Sequence, residues 1–172
     1  MLVPLLRKEE IEEIVKRIAS EIKRDFPGEE IVFVCLLKGS FVFVSDLIRN
    51  IDNPCIVDFI RVSSYGDSMS SSGRVTLTKD LEVDIKGKNV IVVEDIVDSG
   101  LTLKYVRDYL SSKGPKDLKI CVLLDKRARR QVDIKCDYTG FVFEDGFVVG
   151  YGIDCAEKFR NLPEVYILKN EE

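Results

Sequence analysis

Residues 90–102 read VIVVEDIVDSGLT, and the reading of this stretch decides the fold. Its first four residues are apolar and β-branched without alternation, the pattern of a short strand buried on both faces in a parallel sheet. Two acids follow, then two aliphatics, and then Asp98, Ser99, Gly100, Leu101 and Thr102 open a helical stretch carried by Tyr105, Val106, Tyr109 and Leu110. Gly114-Pro115 closes that helix.

The same strand-to-helix unit recurs on either side. Residues 31–37, IVFVCLL, are apolar throughout, turn at Lys38-Gly39-Ser40, and lead to a helical face of Phe41, Val44, Leu47 and Ile48. Before them Ile11, Ile14, Val15, Ile18 and Ile22 recur at helical spacing until Pro27-Gly28. Further strands are expected at 55–62, 75–77 and 118–124. Strands alternating with helices from 31 to 124 predict an α/β fold, a twisted and mainly parallel sheet flanked by helices. Residues 63–73, SSYGDSMSSSG, have almost nothing to bury and read as a mobile loop. Beyond 137 the pattern changes to short strand candidates at 138–143, 147–151 and 165–168, expected as a small hood lobe over the strand ends. The chain reads as a single domain, 1–172, with no repeat and no linker.

Composition narrows the chemistry. The 172 residues contain no histidine and no tryptophan, so imidazole bases and imidazole metal ligands are excluded. Acid–base work falls to carboxylates, Lys, Tyr or Cys, and oxygen ligands point to magnesium, manganese or calcium. The five cysteines show no CxxC pair and read as reduced thiols of a cytoplasmic protein. Residues 1–6 read as a tail that is neither signal peptide nor anchor. The longest apolar run is seven residues, against the roughly 18 of a spanning helix, so no membrane partner is expected. A net charge of −4 gives no overall attraction to nucleic acid.

In an open α/β sheet, ligands bind beyond the carboxyl ends of the strands, and a helix N-terminus offers free backbone N–H groups to an anion. The 98–102 turn is therefore where a phosphate would sit, with Gly100 admitting a close approach and Ser99 and Thr102 adding hydroxyls. No GxxxxGK[ST] or GxGxxG motif occurs. Adjacent carboxylates would repel a polyphosphate but suit the vicinal hydroxyls of a ribose, or a metal shared with it. Acids and turn together describe a ribose 5-phosphate.

With these residues in view, VVEDIVDSGLT resembles the phosphoribosyl pyrophosphate motif of the type I phosphoribosyltransferases. LLKGS at 36–40, SSYG at 63–66, LLDKR at 123–127, FVVGYGID at 147–154 and EKFR at 157–160 make the chain similar to the hypoxanthine-guanine branch. The resemblance spans about residues 30–168 and implies the type I phosphoribosyltransferase fold, with a base-binding hood formed mainly by 138–172. The activity implied is purine salvage, transfer of the 5-phosphoribosyl group from phosphoribosyl pyrophosphate to hypoxanthine or guanine, with magnesium required. Small-molecule substrates and a homo-oligomer, dimer or tetramer, are implied as partners.

The resemblance also implies roles. Glu94 and Asp95 would hold the ribose hydroxyls and, with Asp154, the magnesium. Asp98 would take the purine proton as general base, and Ser99, Gly100, Leu101 and Thr102 would bind the 5-phosphate. Lys126 would donate to the exocyclic oxygen of a 6-oxopurine, Phe147 would stack on the ring, Val148 would read its edge through the backbone, and Asp154 would also line the purine site. Lys38, Gly39 and Arg160 would bind pyrophosphate, and Ser64 and Tyr65 would close over it. Ser99 stands where Thr is common, and Leu101 where some members carry Lys.

The residues alone carry blander readings. Lys126 belongs to a basic run with Arg127, Arg129 and Arg130, and such runs usually lie on solvated surfaces. Phe147 by pattern is a core aromatic. A competing reading is a nucleotide-sensing RNA-binding regulator on the same fold, with those arginines as its basic patch. A receiver-like signalling domain would place its paired acids near the first strand instead.

Overall fold

The structure, a computed structural model, describes residues 1–65 and 74–170. Six strands form the main sheet in the order β4-β3-β2-β5-β6-β7, and β2 (Ile31–Leu36), β3 (Cys55–Tyr65), β5 (Asn89–Val97), β6 (Asp117–Lys126) and β7 (Tyr138–Phe143) run parallel. β4 (Arg74–Lys79) pairs antiparallel with β3 at the edge. The apolar runs in β2 and β5 are explained by burial on both faces: all six residues of β2 and the first five of β5 are buried.

Two apolar cores result. On one face, α1 (Lys8–Asp25) and α2 (Phe41–Ile48) pack Ile18, Ile22, Phe43 and Leu47 against Phe33, Ile91, Cys121 and Leu123. On the other, α3 (Leu101–Ser111) sets Leu103, Val106 and Leu110 against Val32, Val34, Val92 and Val122. α1 begins where the Arg7 N–H donates to the Glu10 carboxylate at 2.7 Å, satisfying a donor at the helix start.

Four expectations change. The strand from Val90 continues through Glu94 and Asp95 to Val97, because β6 keeps pairing with its backbone there, whatever its side chains are, after the ladder to β2 has ended at Val93. β3 runs through Ser63 to Tyr65, since Ser63 and Ser64 pair with Thr76 and Val75 of β4 in a hairpin that tolerates polar side chains. The rest of the loop expected at 63–73 lies outside the described residues, as do the side chains of Ser64 and Tyr65. β7 joins the main sheet beside β6 rather than the lobe. The small sheet is instead β1 (Leu2–Leu6), β9 (Val165–Leu168) and β8 (Val148–Val149). The expected N-terminal tail is thus a strand, with Pro4 tolerated because β1 lies at an edge.

Phe147, a core aromatic by pattern, is 54% exposed, whereas Phe33 is wholly buried. Phe33→Ala is therefore expected to cost about 3–5 kcal/mol in urea unfolding, and Phe147→Ala less than about 0.5 kcal/mol. Equal losses would contradict this assignment of core and surface.

Candidate active site

The chain leaves β2 toward β3 on one side of the sheet and β5 toward β6 on the other, so the crevice beyond the carboxyl ends of β2 and β5 is the topological switch point. The turn after β2 and the turn after β5 face each other across it. Ser40, buried, donates from Oγ to the Leu36 carbonyl at 2.6 Å and holds the first turn down. The Leu37–Lys38 peptide in this turn is cis. Gly39 lies so close to Asp95 that a Cβ there would fall inside the carboxylate. A Cβ on Gly152, at φ +92°, would approach the Gly39 carbonyl to 2.8 Å. The close packing of these three segments requires glycine at both positions.

On the β5 side, Gly100 at φ +86° caps α3, and Ser99 Oγ accepts from the Leu101 N–H at 3.2 Å. Residues 94–103 enclose a pocket of about 110 Å³ at the start of α3, with Ser99, Gly100 and Thr102 in its wall. Backbone N–H groups of a first helical turn lack intrahelical partners, and the helix dipole is positive there. The pocket suits an anion.

Across the register that sets Val97 against Asp125, Asp98 and Lys126 meet. Lys126 Nζ lies 3.1 Å from Asp98 Oδ2 and 3.4 Å from the Gly146 carbonyl. The lysine side chain is 8% exposed, so it is not the solvated lysine that its run suggests. An ammonium has three donors, which leaves one for a ligand oxygen. Asp98 Oδ1 is buried without a partner among the described residues, the state of an acceptor that a ligand N–H would satisfy. The contact to Gly146 places exposed Phe147 and buried Val148 next in the chain beside this pair.

The carboxylates of Glu94 and Asp95 cap neighbouring amides, Glu94 that of Asp95 at 3.0 Å and Asp95 that of Ile96 at 2.7 Å. Burial, and then the charge of Asp95 beside it, hold the Glu94 carboxyl well above the ordinary carboxylate range. Asp154 stands apart in a segment where Tyr151, Ala156, Glu157 and Phe159 all have positive φ, a concentration of strain typical of functional loops. Arg160 lies 3.2 Å from Asp154, 3.2 Å from Glu157, and donates to the Gly152 carbonyl at 2.8 Å. Glu157 also pairs with Lys38 at 3.1 Å. The two cations assigned to pyrophosphate thus converge on one carboxylate.

Among the described residues no cluster of three or more carboxylate or cysteine ligands converges. Glu94, Asp95 and Asp154 are therefore not a ready-made metal cage. Their donor chemistry still fits magnesium, which keeps waters and binds through one or two carboxylates together with substrate phosphates.

The sequence reading missed Asp125, Arg130, Glu157 and Gly152. Asp125 carried a signal, an acid directly after the apolar run 120–124, and it is 3% exposed with Arg127 and Arg130 both on its carboxylate. Two arginines of the supposed basic patch are thereby engaged in the fold. A cavity of about 640 Å³ lies elsewhere, between α1, α2 and residues 160–163, with Arg160 in its wall.

Residues 4–156 match the phosphoribosyl transferase domain family. The hypoxanthine-guanine phosphoribosyltransferase of Aquifex aeolicus is 52% identical over 167 residues, 96% of this chain and 94% of its own. That of Bacillus subtilis is 44% identical over 96% of this chain and 92% of its own. The crystal structure of a hypoxanthine-guanine phosphoribosyltransferase from Bacillus anthracis superposes with a TM-score of 0.93 at 55% identity, covering 96% of this chain and 98% of that one.

A raised carboxyl pKa means that the folded chain binds the proton more tightly. Its favourable effect is complete below the ordinary glutamate value and is lost as pH rises through the folded one. Glu94→Gln is expected to raise the thermal midpoint at pH 8 by roughly 2–4 °C, with the gain vanishing below about pH 4. A lower midpoint at pH 8 would contradict the burial assigned to this carboxyl.

Proposed function

The chain belongs to the phosphoribosyl transferase family, and from that premise we propose that it serves purine salvage as a hypoxanthine-guanine phosphoribosyltransferase. The single observation that carries the reading is the Asp98–Lys126 pair, held 3.1 Å apart at the rim of the α3 pocket. One group is a free acceptor for a ring N–H, the other a buried donor for an exocyclic oxygen, and a 6-oxopurine presents both.

In this reading the 5-phosphate occupies the pocket formed by Ser99, Gly100, Leu101 and Thr102, and Glu94 and Asp95 hold the ribose hydroxyls. Lys126 donates to the purine oxygen, Phe147 covers the ring face, and Val148 reads the edge through its backbone. Lys38, the Gly39 backbone and Arg160 take the pyrophosphate, exchanging their contacts with Glu157 for it. The bond from the anomeric carbon to pyrophosphate breaks, a purine ring nitrogen forms the new bond to that carbon, and Asp98 accepts the proton from the imidazole ring. Positive charge develops on the ribose in the transition state, and the neighbouring carboxylates stabilise it. Magnesium, held with the phosphates by Glu94, Asp95 and Asp154 through water, would neutralise charge on the leaving group. Ser64 and Tyr65 keep the assigned role of covering the pyrophosphate, which would exclude water from the reacting carbon.

A cytoplasmic homo-oligomer, dimer or tetramer, completes the reading. All five cysteines are free, which supports a reducing compartment. The groove between α1 and α2, with Phe41 43% exposed at its lip, offers apolar area for a contact between copies. No helix among the described residues is long and apolar enough to cross a membrane.

With magnesium and phosphoribosyl pyrophosphate, the chain is expected to form nucleotide from hypoxanthine and guanine and far less from adenine. No product from hypoxanthine, guanine or xanthine would overturn the reading, and salt-dependent RNA affinity in its place would favour the regulator. Asp98→Asn is expected to lower kcat by about 10²–10⁴-fold while the Kd for phosphoribosyl pyrophosphate stays within about three-fold. Lys126→Met is expected to raise the hypoxanthine KM by about ten-fold or more. Unchanged kcat in the first variant or unchanged KM in the second would remove that residue from its role.

A further inference from the structure

The two purine-facing groups sit on different strands, and one side chain ties those strands together at that point. Asp125 is 3% exposed, and its carboxylate receives Arg127 at 2.8 Å on Oδ2 and Arg130 on Oδ1. The two arginines differ. Arg127 is 52% exposed and spans no further, whereas Arg130 is 20% exposed and reaches both strand ends. Its Nε donates to the Asp98 carbonyl at 2.9 Å, and its Nη2 donates to the Lys126 carbonyl at 3.2 Å as well as to Asp125.

A guanidinium is planar and its donors form a rigid fork. Three acceptors on that fork fix the end of β5 relative to the end of β6, the spacing on which a ligand bridging Asp98 and Lys126 depends. Neutralising Asp125 alone would not require Nε on the Asp98 carbonyl. The phosphate turn has separate anchors: the Ser99 carbonyl accepts from the Gln131 and Val132 N–H groups at 2.9 and 3.2 Å. The contacts divide the work between purine and phosphate.

We propose that Arg130, seated on the buried carboxylate of Asp125, is a positioning residue that sets the Asp98–Lys126 spacing and through it the affinity for a 6-oxopurine. The inference rests on the function proposed above. It differs from a structural ion pair in what it predicts: purine affinity depends on the fork, and phosphoribosyl pyrophosphate affinity does not.

The test compares the full chain with Arg130→Met, Arg130→Lys and Arg127→Met, measuring hypoxanthine KM, kcat, the Kd for phosphoribosyl pyrophosphate without purine, and the thermal midpoint. Arg130→Met is expected to raise hypoxanthine KM by about ten-fold, the loss of one charge-assisted hydrogen bond. The Kd is expected to stay within about two-fold. Arg130→Lys keeps a charge for Asp125 but cannot span to the Asp98 carbonyl, so it is expected to share the KM defect with a smaller loss of midpoint. It decides the matter if Arg130→Met fails to fold. Arg127→Met is expected to leave hypoxanthine KM within about two-fold. A normal hypoxanthine KM in Arg130→Lys, parallel losses of purine and phosphoribosyl pyrophosphate affinity, or an equal defect in Arg127→Met would each overturn the inference. If the wild-type chain transfers nothing to hypoxanthine, the functional reading fails first and takes this inference with it.

Discussion

The contact on which the site depends is the ion pair between Asp98 and Lys126, 3.1 Å apart at the ends of two adjacent parallel strands. Parallel pairing brings it about. With Val97 set against Asp125, the next residue of each chain arrives at the same level, and the sheet delivers an acid and a base to one rim. Burying a lysine is costly unless it is paired, so Asp98 both satisfies Lys126 and is oriented by it. The pair leaves one ammonium donor and one carboxylate oxygen free, a polarity that matches a ring N–H beside a carbonyl. The rest of the crevice is arranged around that rim, with the α3 pocket beneath and the 37–40 turn opposite.

Much of this arrangement works against stability. Glu94 is half-buried beside another carboxylate, and desolvation and that neighbouring charge raise its proton affinity. Four residues other than glycine between 151 and 159 hold positive φ, and among the described residues Asp98 Oδ1 and Arg160 Nε lie buried without partners. Such features persist where the surrounding fold over-determines them. Here the two apolar cores on either face of the sheet supply that constraint. The carboxylates and cations that would meet a sugar phosphate are held by one another across it, as with Lys38 and Arg160 on Glu157.

The sheet was legible because residues 31–36 and 90–93 are apolar without alternation, which a chain of this length can bury only between two layers. The helices were legible from their isoleucine and leucine spacing, and the turn into α3 from Gly100 beside Ser99. The end of β5 was not, since Glu94 and Asp95 break the apolar run while the ladder to β6 continues to Val97. β1 was misplaced because its partner β9 lies at the other end of the chain, and β7 because its pairing with the preceding strand β6 leaves no mark in its own residues; local pattern is silent on such pairing. Asp125 and Arg130 show the same limit for charges. A run of basic residues looks solvated until the fold sets a buried carboxylate within reach.

In the proposed function Asp98 and Lys126 read the purine together at the rim of the α3 pocket. A crystal structure of the chain with inosine monophosphate tests it most directly. The account predicts the 6-oxygen at about 3 Å from Lys126 Nζ, the Asp98 carboxyl beside the five-membered ring, and the phosphate against residues 99–102. A base seated elsewhere, with the Asp98–Lys126 pair left closed and without contact to it, would contradict the account.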